Sequence, residues 1–75
     1  LQIEKRRHRI PLPGGLTAEL DLFDGELTGR QIVEVEFTDD ATAAAFTPPS
    51  WFGREVTHDH RYTNAALARD GWPAV

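Results

Sequence analysis

Seventy-five residues make one small domain at most, and a chain of this length buries only about 60% of its unfolded surface, so its core is small. There is no cysteine, which excludes disulfides and thiolate metal sites and is consistent with a reducing, cytoplasmic setting. The net charge of -4 excludes a uniformly basic nucleic-acid surface, and no apolar run reaches the roughly 18 residues of a membrane-spanning helix.

The first residue is Leu1 rather than methionine, so the natural N-terminus is expected to lie outside the sequence; no signal peptide is visible. Charge is strongly segregated. Four of the eight basic residues fall within the first ten positions, whereas Glu19 to Asp40 holds eight acids and a single base, Arg30.

Leu1 to Leu12 reads as a strand, with Lys5, Arg7 and Arg9 on one face and Arg6, His8 and Ile10 on the other. Pro11 and Pro13 bracket its end, and Pro13-Gly14-Gly15 supplies a turn. Leu16 to Phe37 then reads as two strands joined by a tight turn at Asp24-Gly25, with Gly29 marking a bend before Arg30 to Phe37. Glu19 and Asp21 share a face opposite Leu20 and Leu22. Glu34 and Glu36 likewise oppose Val33, Val35 and Phe37. The expected sheet therefore has one apolar side and one row of carboxylates, in an antiparallel meander.

After Phe37 the composition changes. Asp39, Asp40 and the alanine run to Ala45 read as a short helix with Thr38 as its cap, ended by Pro48 and Pro49. Trp51 and Phe52 are expected in the core. A second helix is expected from about Asp59 to Arg69, capped by Thr57 or Asp59 and stopped by Gly71, with Tyr62, Ala66 and Leu67 as its buried stripe. The fold class is thus α+β, an antiparallel meander with two C-terminal helices.

Several side-chain groupings bear on chemistry. Glu34 and Glu36, two apart on a strand, point the same way at about 7 Å and could share a hydrated divalent ion; the plain alternative is a solvated acidic face. Lys5, Arg7 and Arg9 could clamp phosphate oxygens, or simply pair across the strands with Glu19 and Asp21. Bases and acids on one sheet could together hold an anionic substrate and a metal, as phosphoryl transfer requires. His58 and His60 flank Asp59 at a helix start and read as capping-region residues, and His8 falls on the face away from Lys5. The three histidines lack zinc-motif spacing. No serine has a plausible base, and Gly14-Gly15 opens a strand rather than a phosphate-binding helix.

Three strings carry a resemblance: Glu4-Lys5-Arg6-Arg7-His8-Arg9-Ile10-Pro11-Leu12, Glu19-Leu20-Asp21-Leu22-Phe23 and Val33-Glu34-Val35-Glu36-Phe37. With Pro49-Ser50-Trp51-Phe52-Gly53-Arg54-Glu55-Val56-Thr57, Asp59-His60-Arg61-Tyr62-Thr63-Asn64 and Leu67-Ala68, the chain resembles the C-terminal half of a CYTH domain. These are the triphosphate tunnel metalloenzymes, and the ending is similar to that of the small bacterial single-domain members. The resemblance implies a tunnel-like antiparallel barrel of about eight strands with a charged interior. It also implies a hydrolase acting on triphosphate-bearing small molecules with magnesium or manganese.

Carried onto this sequence, Lys5 and Arg7 match the phosphate-holding lysine-x-arginine. Lys5 is the candidate catalytic residue, and Arg9 extends the basic row. Glu19 and Asp21 match an acidic pair on the substrate-facing interior, and Glu34 and Glu36 the pair associated with metal. The family's first-strand glutamate-x-glutamate-x-lysine is absent. Residues 1–75 are therefore expected to form the C-terminal part of a single domain that needs its N-terminal strands, or a second copy, to act as a triphosphatase. The alternative is a polyphosphate-binding remnant, or a half-barrel that needs a partner chain. No contact with nucleic acid or membrane is expected, because the acidic strands beside Lys5 to Arg9 would repel a phosphate backbone.

Overall fold

The computed structural model describes residues 2–74. Three strands, β1 (Glu4–Pro11), β2 (Thr17–Asp24) and β3 (Gln31–Val35), form an antiparallel sheet in sequence order, with β2 central. Two short helices follow, α1 (Asp40–Ala45) and α2 (Asn64–Asp70). This is the expected α+β meander, an open sheet with both outer edges unpaired among the described residues. Among the described residues no helix is long and apolar enough to cross a membrane.

The first connection closes where the Leu12 amide donates to the Leu16 carbonyl at 2.8 Å around Pro13-Gly14-Gly15. The second is not the tight turn expected at Asp24-Gly25. A 3-10 turn over Gly25–Leu27 tucks Leu27 under the sheet, and Arg30 returns to pair with Phe23. Gly25 sits at a φ of 62°, a backbone conformation that favours glycine; a Cβ there would also displace the flexible end of the Glu4 side chain.

The elements are shorter than the sequence suggests. β1 starts at Glu4, and Leu1 of the expected strand lies outside the described residues. β3 ends at Val35, leaving Glu36 and Phe37 beyond it. Asp39, not Thr38, caps α1 by accepting from the Thr42 amide at 2.6 Å. A carboxylate at that position satisfies an otherwise orphaned donor and complements the helix dipole. The single helix expected from Asp59 is two pieces. Asp59 accepts from the Arg61 amide and opens a 3-10 turn at His60–Tyr62; Thr63 then caps α2 by accepting from Ala66. Thr57 caps neither. Gly71, at a φ of 74°, stops α2 as expected.

The core departs most from expectation. Leu67, wholly buried, packs with Phe23 and Leu27, and Ile3, Ile32 and Trp72 close around them. Trp72 meets Phe23 edge-on at 5.9 Å. Phe23 and Ile32 share the sheet face of the charged row, since Phe23 is opposite Lys5 and Ile32 opposite Asp21. The tight core therefore sits at one end of the charged face, where α2 covers it. On the side expected to form the core Ala18 is fully buried, but Leu20, Leu22, Val33 and Val35 are only half-buried. Of the α2 stripe, Ala66 and Leu67 are buried and Tyr62 half-buried. Trp51 is not core: it is 48% exposed, at the end of an aromatic run through Phe37, Phe46 and Phe52. The physical reason is that α1 buries no residue, so no closed core forms against it; Trp51 instead meets Phe52 edge-on and lines an open groove with Ala41, Thr42 and Ala45.

Candidate active site

Antiparallel partners that lie directly opposite point to the same face, so the register lays out the site row by row. Lys5 faces Phe23. Arg7, Asp21 and Ile32 form the next row, and Arg9, Glu19 and Glu34 the third. His8 pairs with Leu20 and so lies on the opposite face.

Asp21 is the centre of this arrangement. It is a buried carboxylate, 3% exposed, flanked by the apolar Phe23 and Ile32. Burial of such a charge is tolerated only with partners, and it accepts three hydrogen bonds from two cationic side chains. Arg7 Nε donates to Oδ1 at 2.7 Å, Arg7 Nη2 to Oδ2 at 3.1 Å, and Lys5 Nζ to Oδ2 at 2.9 Å. The Arg7 guanidinium, and then Lys5, hold the Asp21 carboxyl below the usual carboxylate range, against the opposing effect of burial. Asp21 in turn raises the Arg7 pKa further.

The acids of the third row are held more loosely. Glu19 stands 3.6 Å from Arg7 Nη1 and 3.4 Å from Arg9 Nε, with the Arg9 side chain 76% exposed. Glu34 lies directly across from Glu19, so two like charges face each other on adjacent strands. Glu34 and Glu36 are exposed, and neither has an ion pair among the described residues. No group of three or more metal-ligating side chains forms among those residues.

One contact was not legible in the sequence. Asn64, the first residue of α2, accepts a hydrogen bond from Lys5 Nζ at 3.2 Å. Only the docking of Leu67 against Phe23 brings it there, across 59 positions of chain. His58 and His60 are exposed and lie outside this face. Asp59 between them is pulled down to a pKa of about 2, chiefly by its hydrogen bond from Arg61.

Counting donors shows what the face can offer. Lys5 gives one N–H to Asp21 and one to Asn64, leaving a third. Arg7 gives two of its five to Asp21. Three cations face three carboxylates on these rows, with Glu36 just beyond, so the face has directed donors but no surplus of positive charge. A polyanion would be oriented here, but its charge would have to be balanced by further cations.

This chain is 52% identical over 67 residues to an inorganic triphosphatase of Nitrosomonas europaea. It is 44% identical over 68 residues to an inorganic triphosphatase of Acetivibrio thermocellus. It is similar to part of an inorganic triphosphatase. The matches take in 89% and 91% of this chain but 44% and 42% of those proteins, so the chain spans less than half the length of the relatives it matches. A crystal structure of an inorganic triphosphatase superposes with a TM-score of 0.83 at 53% identity, over 88% of this chain and 45% of that one. No family model matches the chain.

Proposed function

We propose that this chain carries part of the substrate and metal site of a CYTH-type, metal-dependent triphosphatase that hydrolyses inorganic triphosphate or a related triphosphate. The observation that supports it most is the register. Lys5, Arg7 and Arg9 stand on the same face as Glu19, Asp21 and Glu34, in a chain that is 52% identical over 67 residues to an inorganic triphosphatase.

In this reading the free N–H groups of Lys5, Arg7 and Arg9 bind and orient phosphate oxygens. Lys5 is the candidate catalytic group, placing positive charge against the phosphoryl group that water attacks as the bridging P–O bond breaks. Glu19 steadies Arg7 and Arg9. Glu34 and Glu36 would hold magnesium or manganese. They are hard oxygen donors with no ion pair among the described residues, and magnesium is commonly bound by one or two carboxylates together with substrate phosphates. When bound, such an ion neutralises phosphate charge, which this face does not do by itself.

The test is the double replacement Glu34→Gln and Glu36→Gln in the natural full-length polypeptide carrying this sequence. Metal-dependent release of phosphate from tripolyphosphate should fall about 100-fold or more. Unchanged hydrolysis would remove the metal assignment.

The open sheet favours a second reading. Three strands cannot close a barrel, and both edges of this sheet are unpaired among the described residues. The chain would then be a polyphosphate-binding module without turnover, or a half-barrel completed by other strands or a second copy. Calorimetry with tripolyphosphate separates the two: binding without phosphate release supports the module, and metal-dependent release supports the enzyme.

A further inference from the structure

We infer that Asp21 is a positioning residue that acts through Lys5 and Arg7, rather than a group that touches substrate or metal; this rests on the triphosphatase reading. Both its oxygens are already engaged, by three N–H donors from two side chains. Its side chain is only 4% exposed, and its neighbours on the same face are Arg7 and Ile32 across the sheet and Glu19 and Phe23 along β2. A phosphate oxygen approaching it would meet negative charge, and a metal ion would have to displace the guanidinium.

What Asp21 supplies is geometry. The two parallel bonds to Nε and Nη2 fix the plane of the Arg7 guanidinium, which a single contact would leave free to turn. That leaves both Nη1 hydrogens and one Nη2 hydrogen directed by the fork. Oδ2 also holds Lys5 Nζ, with Asn64 as the ammonium's second acceptor. One carboxylate thus sets the separation of two cations two residues apart on the same strand, and offsets their repulsion.

Charge and orientation make opposite predictions for Asp21→Asn, which is why the role can be tested. Removing the carboxylate leaves the face more positive, so an anion should bind at least as tightly. Removing the fork lets Arg7 and Lys5 drift, and a displacement of about 1 Å can cost roughly 100-fold in turnover. In the natural full-length polypeptide with magnesium and tripolyphosphate, kcat should fall about 100-fold while Kd stays within about threefold or tightens. In the double variant with Arg7→Lys, the losses should not add, because the fork is already broken.

A kcat that is unchanged would overturn the inference. So would a Kd weakened tenfold or more, which would make Asp21 a ligand. Absence of turnover in the unsubstituted protein counts against the triphosphatase reading instead. A separate measurement then still decides the role of Asp21: exchange of the Arg7 Nε hydrogen by NMR should be slow in the unsubstituted protein and fast in Asp21→Asn. Equal rates would overturn the inference whatever the activity.

Discussion

At the scale of single residues, Asp21 is the buried charge around which the cations of the charged face pair. Its folded pKa lies below its unfolded value of about 3.9, because Arg7 and Lys5 favour the charged form. A depressed carboxyl contributes stability that is fully present above the unfolded pKa and is lost as pH falls through the folded one. Urea unfolding followed from pH 6 down to pH 2 should therefore show an acid limb that is shallower in Asp21→Asn than in the parent protein. At pH 7 the same variant should be less stable by about 1–3 kcal/mol, having lost charge-assisted bonds at a buried position. Identical acid limbs would mean that the pairing contributes nothing to folding. The exposed pairs Arg6–Asp24 and Arg69–Asp70 are different: solvent screens them, and their removal should be nearly silent.

Among the elements, α2 has consequences out of proportion to its seven residues. It starts where Thr63 caps it, and Leu67 presses it onto Phe23 and Leu27. Gly71 stops it with a backbone that β-carbon-bearing residues seldom adopt. Leu67→Ala should cost about 2–5 kcal/mol by opening a cavity in the small core. Thr63→Ala should cost about 1 kcal/mol through the lost cap. Both are read by denaturant unfolding. The first should also release Asn64 from Lys5, because the helix that carries the amide is anchored by Leu67. By contrast, α1 has a sound cap in Asp39 but buries nothing, so its sequence makes a helix and its position gives it little to hold.

For the whole molecule, stability is concentrated. Among the described residues the buried apolar ones are Ala18, Phe23, Leu27, Ala66 and Leu67, all on β2, the turn after it or α2. Amide exchange should be slowest in β2, which is paired on both sides, and in α2 around Leu67. It should be fastest in α1 and through the stretch from Phe46 to Asp59, which is held by isolated turns. Comparable protection in α1 and β2 would contradict this picture. On the charged face the acids divide in the same way: Asp21 and Glu19 pair with Lys5, Arg7 and Arg9, whereas Glu34, at the far edge of the sheet, has no ion pair among the described residues.

The sequence by itself determined the three strands, their order and the face on which each charged residue stands. Those follow from a side-chain period of two and from glycine and proline at the turns, which are local properties. It also placed α1 and the stop of α2 at Gly71, because helix formers and positive-φ glycines announce themselves locally, but not the start of α2 at Asn64. Only the tertiary structure decided which face carries the buried core. Both faces offer apolar residues, and the choice was made by α2 bringing Leu67 to Phe23 and Ile32. The same packing brought Asn64 to Lys5 and buried Asp21, turning an acid in an alternating pattern into the partner of two cations. Burial and contacts between distant segments depend on how elements dock, and no local spacing encodes that.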